Sequence, residues 1–273
     1  MLAFVHIEKT AGTTLNQILR RSFLLRFIDV RPLSSRSHGT FTAEDLRKYL
    51  FINPWLEAVS GHSIRPILEL SGARPEIRYI TLLRNPIRRY ISQFLYFVRI
   101  RERSDDFARF LDQEEFANFQ TKKLAGCEDL CAAISALDQM FAVGVAEEFD
   151  ALLLRLKKAL LPLHFDIRYA SKNVGIGMSE RVAQIQELYG AEIRSRNEKD
   201  LLLYHHAINR VIPRHNEAYG SRLMPDLESF RRENRNFRAG VRDYIDYAAR
   251  KSYYQPVSGA MRRLNGLSAR GSY

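Results

Sequence analysis

The 273-residue chain is poor in the features that usually betray a class of protein. It has two cysteines, Cys127 and Cys131, four apart on a predicted helix and without histidine at ligand spacing. Two thiols cannot supply the four ligands of a structural zinc site, so they read as packed residues, and no metal is expected. No run of about eighteen apolar residues occurs, which argues against a transmembrane helix. No leader is visible ahead of the first strand, so the expectation is a cytoplasmic protein. Internal repeats and clear linkers are absent too, which favours one domain over residues 1–273.

What the chain has is basic charge on a globular composition. Lys and Arg number 42 against 31 Asp and Glu, for a net charge of +11 and a pI near 9.8. Hydrophobic residues make up 46% and charged ones 27%, which excludes a disordered chain. Anionic partners follow from such a balance: a phosphorylated cofactor, an acidic polysaccharide, a membrane surface or nucleic acid. Much of the excess lies between Arg231 and Arg270. By itself a charged run is an ordinary solvated face.

The most informative stretch comes first. Residues 2–7 (LAFVHI) are mostly apolar and predict a buried strand, while Leu15, Ile18 and Leu19 fall at helical spacing. Between them Glu8-Lys9-Thr10-Ala11-Gly12-Thr13-Thr14 supplies one lysine, one glycine and three hydroxyls. A strand feeding a loop that opens a helix directs backbone N–H groups and a positive dipole end at one point, the geometry of a phosphate cradle. An ordinary turn fits the same pattern, so residue order matters. A nucleotide triphosphatase loop runs G-x-x-x-x-G-K-[ST], lysine after glycine; here Lys9 precedes Gly12.

A second stretch repeats the logic. Residues 77–83 (IRYITLL) predict a strand, followed by Arg84-Asn85-Pro86, where Asn85 is a good N-cap and Pro86 a good first helical residue. Arg84 then stands beside a helix start, which doubly favours an anion. Arg88 and Ser92 share a helix face at i,i+4. The apolar stripe Ile87, Tyr90, Ile91, Phe94 and Val98 reads as core.

Together the two stretches resemble the cofactor motifs of sulfotransferases that use 3′-phosphoadenosine 5′-phosphosulfate (PAPS). The likeness is to the carbohydrate, heparan 2-O-like branch and its bacterial relatives. K-T-A-G-T-T resembles the 5′-phosphosulfate loop of that family, with Glu8 in place of its usual proline. R-N-P-I-R-R-Y-I-S resembles the 3′-phosphate motif R-[DN]-P-x-x-R-x-x-S, with Arg84 and Ser92 on the phosphate-holding positions and Arg89 on the middle arginine. The resemblance implies that Lys9, Thr10, Ala11, Gly12, Thr13 and Thr14 hold the 5′-phosphosulfate and Arg84 and Ser92 the 3′-phosphate. Lys9 would stabilise the bridging oxygen as the S–O bond breaks. Lys172 and Asn173, in the polar loop 171–177, are candidates to close over the cofactor phosphate. Asn118-Phe119-Gln120-Thr121 resembles an N-x-Q-T segment near the acceptor site, and 143–150 resembles a structural V-G-[LV]…E-x-F-D stretch.

Sulfuryl transfer needs a base, and a histidine titrates near neutrality. His62, in Ser60-Gly61-His62 after a predicted strand over 55–60, is the candidate, and the family carries a similar S-G-H segment. His6 reads as structural because it lies within the first strand; His38, His205 and His206 are reserves. The acceptor implied is a hydroxyl on a glycan or glycolipid, and nucleic acid is not expected.

Strands alternating with helices predict an α/β fold, and the resemblance makes it a P-loop-like three-layer sandwich with a central parallel sheet, plus a helical C-terminal part. Residues 1–177 would form the cofactor core, 178–255 a helical remainder and 256–273 a loose tail. Two rivals stand. A P-loop kinase needs the Walker order and an acid at a neighbouring strand end, where this chain has Arg84. A nucleic-acid or polyanion binder fits the charge, yet no helix-turn-helix, zinc-finger or RNA-binding signature stands out.

Overall fold

A computed structural model describes residues 1–34, 39–67, 70–101, 106–170, 178–238 and 240–267. Its centre is an all-parallel five-stranded sheet in the order β2-β3-β1-β4-β5, built from β1 (Leu2–Val5), β2 (Phe27–Asp29), β3 (Ala58–Gly61), β4 (Arg78–Leu83) and β5 (Ala142–Val145). The expected α/β class and parallel sheet are therefore present. β2 was not foreseen: three residues carry too short a pattern to separate from the loop that follows.

The helices are α1 (Gly12–Phe23), α2 (Ala43–Ile52), α3 (Pro86–Arg101), α4 (Phe107–Leu111), α5 (Phe119–Ala125), α6 (Leu130–Asp138) and α7 (Phe149–Ala159). After them come α8 (Met178–Arg196), α9 (Glu198–His206), α10 (Ile212–Tyr219), α11 (Leu223–Asn234), α12 (Val241–Ala249) and α13 (Gln255–Leu264). Strand side chains alternate between two cores, as the pleat requires. Leu2 and Phe4 join Leu15, Ile18 and Leu19 of α1 and Leu152 and Leu156 of α7 on one face. Ala3 and Val5 join Leu46 and Tyr49 of α2, Leu124 of α5 and Leu203 of α9 on the other. Each fully buried Leu or Phe contributes about 1.5–3 kcal/mol of transfer free energy, so these two layers dominate the folding energetics. The α3 stripe enters a third cluster, where Tyr90 and Phe94 meet Phe107 and Phe110 of α4 and Ile185 and Ile193 of α8.

Two prolines explain how the C-terminal helices run. α9 passes through a π-helical turn, Ala207–Val211, into α10, and α12 passes through another, Arg250–Tyr254, into α13. Pro213 and Pro256 sit in the first turn of the helix that follows each. A proline lacks an N–H and crowds the preceding turn; a wider turn ahead of it relieves both problems. Little order was expected after Pro256, but α13 forms there, with Gly259 and Arg262 buried. The Arg262 guanidinium donates to the Pro32 carbonyl just past β2, so α13 lies along the edge strand of the sheet.

Among the described residues no helix is long and apolar enough to cross a membrane.

Candidate active site

The chain leaves β1 towards β2 and β3 on one side, and leaves β4 towards β5 on the other. Loops after β1 and β4 therefore diverge at a topological switch point, where open α/β sheets hold ligands. Both motifs identified in the sequence arrive there. The Arg84 Nη1 donates to the Lys9 carbonyl at 3.0 Å, joining them directly.

The first loop is tightly bent. Lys9 and Ala11 both adopt φ 68°, a left-handed conformation rare for residues with a Cβ. Thr10 is buried and its Oγ1 donates to the Ile7 carbonyl at 2.9 Å, so its proton braces the loop internally. Gly12 has no alternative: a Cβ there would stand 2.1 Å from Cδ2 and 2.2 Å from Nε2 of His6. α1 then starts with Ala11 as N-cap, without a side-chain cap and without an acidic residue in its first turn. Thr13 is exposed and Thr14 half-buried on that turn. Lys9 reaches over the Tyr96 ring at 4.4 Å, and burial, followed by the charges of Arg84 and Arg89, lowers its pKa. A cation crowded by two others and set beside open amide donors is a place that gains from an anion.

The second loop is held from behind. Gln120 grips the Arg84 backbone at both ends, its Oε1 accepting from the Arg84 N–H and its Nε2 donating to the Arg84 carbonyl, each at 2.9 Å. Gln120 and Thr121 in turn donate their backbone N–H groups to the buried Asp200 carboxylate at 3.0 and 2.7 Å, and the Thr121 hydroxyl adds a third bond at 2.8 Å. Asn118 accepts from the N–H groups of Lys199 and Asp200 at the start of α9. The N-x-Q-T segment is thus a strut beneath Arg84. Burial raises the Asp200 carboxyl, opposed by Arg89 and these hydrogen bonds. Arg89 is fully buried; it donates to the Phe116 carbonyl at 3.1 Å and stacks 4.5 Å over Phe119, and burial lowers it to about 10. Its Nε and Nη1 have no hydrogen-bond partner among the described residues. Asn85 caps α3 through the Arg88 N–H at 3.2 Å, and Ser92 is half-buried two turns along that helix.

His62 follows β3. Its Nδ1 lies 2.8 Å from the His6 carbonyl and 3.4 Å from Glu8 Oε1, and both neighbours can only accept. The neutral ring therefore carries its proton on Nδ1 and its lone pair on Nε2. Lys123, from α5, closes the arrangement by donating to Glu8 Oε1 at 2.9 Å and to the His62 carbonyl at 3.0 Å. Burial pushes the Glu8 carboxyl up, yet the His62 hydrogen bond and Lys123 together hold it at about 2. His6 stacks on His62 at 4.1 Å, and burial, then His62, depresses it to about 3. A neutral spacer against Gly12 is the role this geometry gives His6.

Beside His62 a cavity of about 880 Å³ opens between the α1 face bearing Thr13 and Asn16, strand β2, and the C-terminal segment from Arg250 to Arg263. Six cations line it against a single carboxylate, Asp29, which is already paired with Arg20. The Ser60 hydroxyl and Asn16 Oδ1 on its wall are buried without a hydrogen-bond partner among the described residues.

Lys172, Asn173 and His38 lie outside the described residues. His206 is bonded to Asp138 at 2.8 Å between α9 and α6, and His205 is exposed. Cys127 and Cys131 are exposed free thiols rather than packed residues. No cluster of three or more His, Cys, Asp or Glu with metal-holding geometry occurs among the described residues. Sequence reading picked out the segment holding Gln120 only through the N-x-Q-T resemblance and placed it near the acceptor, where the structure sets it under Arg84; it missed Lys123 and Asp200, neither of which sits in a local pattern.

No family model matches the chain, and no curated protein matches it.

Proposed function

We propose that this protein is a PAPS-dependent sulfotransferase whose acceptor is a hydroxyl on a glycan or glycolipid. The observation that carries the reading is the meeting of the Lys9–Thr14 loop and Arg84 at the switch point, through the 3.0 Å bond from Arg84 to the Lys9 carbonyl. The P-loop-like arrangement belongs to the same reading: a strand, a left-handed loop and an uncapped helix N-terminus, with lysine ahead of glycine.

The residues fit such a donor. Gly12 leaves room where any Cβ would collide, the first-turn amides of α1 are not met by a cap, and Lys9 and Arg84 bring charge. When bound, the donor supplies a sulfuryl group already activated by its phosphosulfate anhydride. Lys9, Gly12, Thr13 and Thr14 would hold the 5′ end, and Arg84 with Ser92 the 3′-phosphate. His62 Nε2 would take the proton of the acceptor hydroxyl as its oxygen bonds to sulfur, while the bond from sulfur to the phosphate-bridging oxygen breaks beside Lys9 and adenosine 3′,5′-bisphosphate leaves. Glu8 faces the Nδ1–H and steadies the imidazolium that results; Lys123 fixes Glu8 in turn. The cavity beside His62 is where the acceptor would lie, and its cationic lining suits one carrying an acidic group.

Calorimetry with adenosine 3′,5′-bisphosphate, with and without EDTA and against ATP–Mg²⁺, tests the assignment. Metal-independent binding is expected, weakened about 10–100-fold in Arg84→Ala by loss of charge-assisted hydrogen bonds. A preference for ATP–Mg²⁺ would return the kinase reading. Binding of neither would leave a non-enzymatic role.

A further inference from the structure

All the large aromatic side chains that stand exposed among the described residues belong to one region: Phe51, Trp55, Tyr244, Tyr247 and Tyr253. Contacts tie its pieces together. The Asn53 amide donates to the Leu25 carbonyl at 2.6 Å and to the Tyr254 hydroxyl at 2.8 Å, and the Glu57 N–H donates to the Arg26 carbonyl at 2.9 Å. Phe51 and Trp55 therefore flank a junction that Leu25, itself 56% exposed, and the Tyr253–Tyr254 pair complete. α12 packs on α1 and the turn holding Leu25, yet Val241, Tyr244 and Ile245, at i, i+3 and i+4, remain exposed. An apolar helical stripe turned to solvent is the reverse of what a covered helix needs.

Charge identifies the occupant. Arg250 and Lys251 stand 5.8 and 6.0 Å from the Tyr247 ring, and the whole chain carries +11; Arg26, beside Leu25, is already paired with Glu57. Tryptophan and tyrosine with an apolar body and polar tip, interleaved with arginine and lysine, suit the boundary of a lipid bilayer with anionic headgroups. We infer that the face formed by Leu25, Phe51, Trp55, α12 and Tyr253 docks on an anionic membrane surface. It lies at the amino ends of β2 and β3, away from the loops after β1 and β4, and shares only Arg250, Lys251 and Tyr254 with the cavity beside His62; its exposed aromatics do not depend on the sulfotransferase reading.

Trp55 is the sole tryptophan and 76% exposed, so its emission reports directly. The full chain is mixed with vesicles of phosphatidylcholine alone or with one-third phosphatidylglycerol, then sedimented. Expected are co-sedimentation with the anionic vesicles only, a blue shift of Trp55 emission, and reversal by high salt. Phe51→Ser with Tyr244→Ser keeps the reporter and should weaken partitioning about tenfold or more. An unshifted spectrum with no anionic co-sedimentation would overturn the inference. So would a concentration-dependent dimer that the double variant dissolves, because the face would then belong to a second copy.

Discussion

α1 and α2 begin in opposite ways. α2 closes on itself: the Thr42 side chain accepts from the Asp45 N–H, the Asp45 carboxylate accepts from the Thr42 N–H at 3.0 Å, and Glu44 adds a second negative charge. α1 has a left-handed alanine as its cap, no acid in its first turn and a glycine whose missing Cβ leaves room against His6. Orphan N–H groups at a helix start cost stability unless something meets them. On the proposed function, the α1 donors left without a side-chain cap, with Lys9 and Arg84 beside them, are what would meet the donor's phosphate.

Five variants press on this contrast and on the base beside it. Lys9→Ala should lower sulfuryl transfer about 10²–10³-fold, the size expected for losing a preorganised charge at the bond that breaks, measured as product formed from labelled donor. Thr14→Glu gives α1 the acid it lacks: bisphosphate affinity should fall more than about tenfold while thermal stability rises by about 0.3–1 kcal/mol. Thr42→Ala does the converse, costing about 1 kcal/mol in denaturant titration and leaving bisphosphate binding unchanged. If both helix starts respond alike, the contrast is structural only. Glu8→Gln should lower kcat on the order of tenfold with bisphosphate affinity preserved, and Glu8→Asp should restore part of it, as befits a residue that positions the base.

The smallest effect concerns pH. His6 is held neutral in the fold, at about 3 against an ordinary 6.5. The unfolded chain binds the extra proton between those values, so stability is full above about 6.5 and declines as pH falls towards 3. The slope is at most about 1.4 kcal/mol per pH unit, and His6→Phe should flatten it in acid denaturation. Glu8 adds its own loss further down: its depressed pKa stabilises the fold above about 4.5 and ceases to as pH falls towards 2.

Much of this was legible in one dimension, because the informative pieces are local. Residues 2–20 hold strand, loop and helix within one window; Thr42 and Asp45 announce a capping box, and Asn85-Pro86 a helix start. The strand predicted over 55–60 instead runs Ala58–Gly61, since Trp55 stands exposed at the junction before it. Residues 107–140 carry helical spacing throughout but are broken into α4, α5 and α6, with Asn118 in a left-handed conformation at one break. The second break is local, with Gly126 ending α5 in a left-handed conformation and Asp129 capping α6; the first falls where Asn118 and Gln120 serve distant partners, and a partner eighty residues away leaves no periodic trace. Lys123 was invisible for the same reason: its meaning comes from Glu8, which reaches it only once α5 has packed beside the first loop.

That eighty-residue span has a consequence for how the protein is made. A ribosome releases Arg84 and Gln120 long before Asp200, so the Arg84 loop emerges without the carboxylate that anchors its brace. Until α9 arrives, two amide N–H groups on α5 face the place of an absent acceptor. The nascent chain holds the whole Lys9–Thr14 loop early, but the Arg84 loop gains its brace only when synthesis is nearly three-quarters done. Premature termination between Ser92 and Asp200 would yield a chain holding both signature stretches and lacking the means to set Arg84.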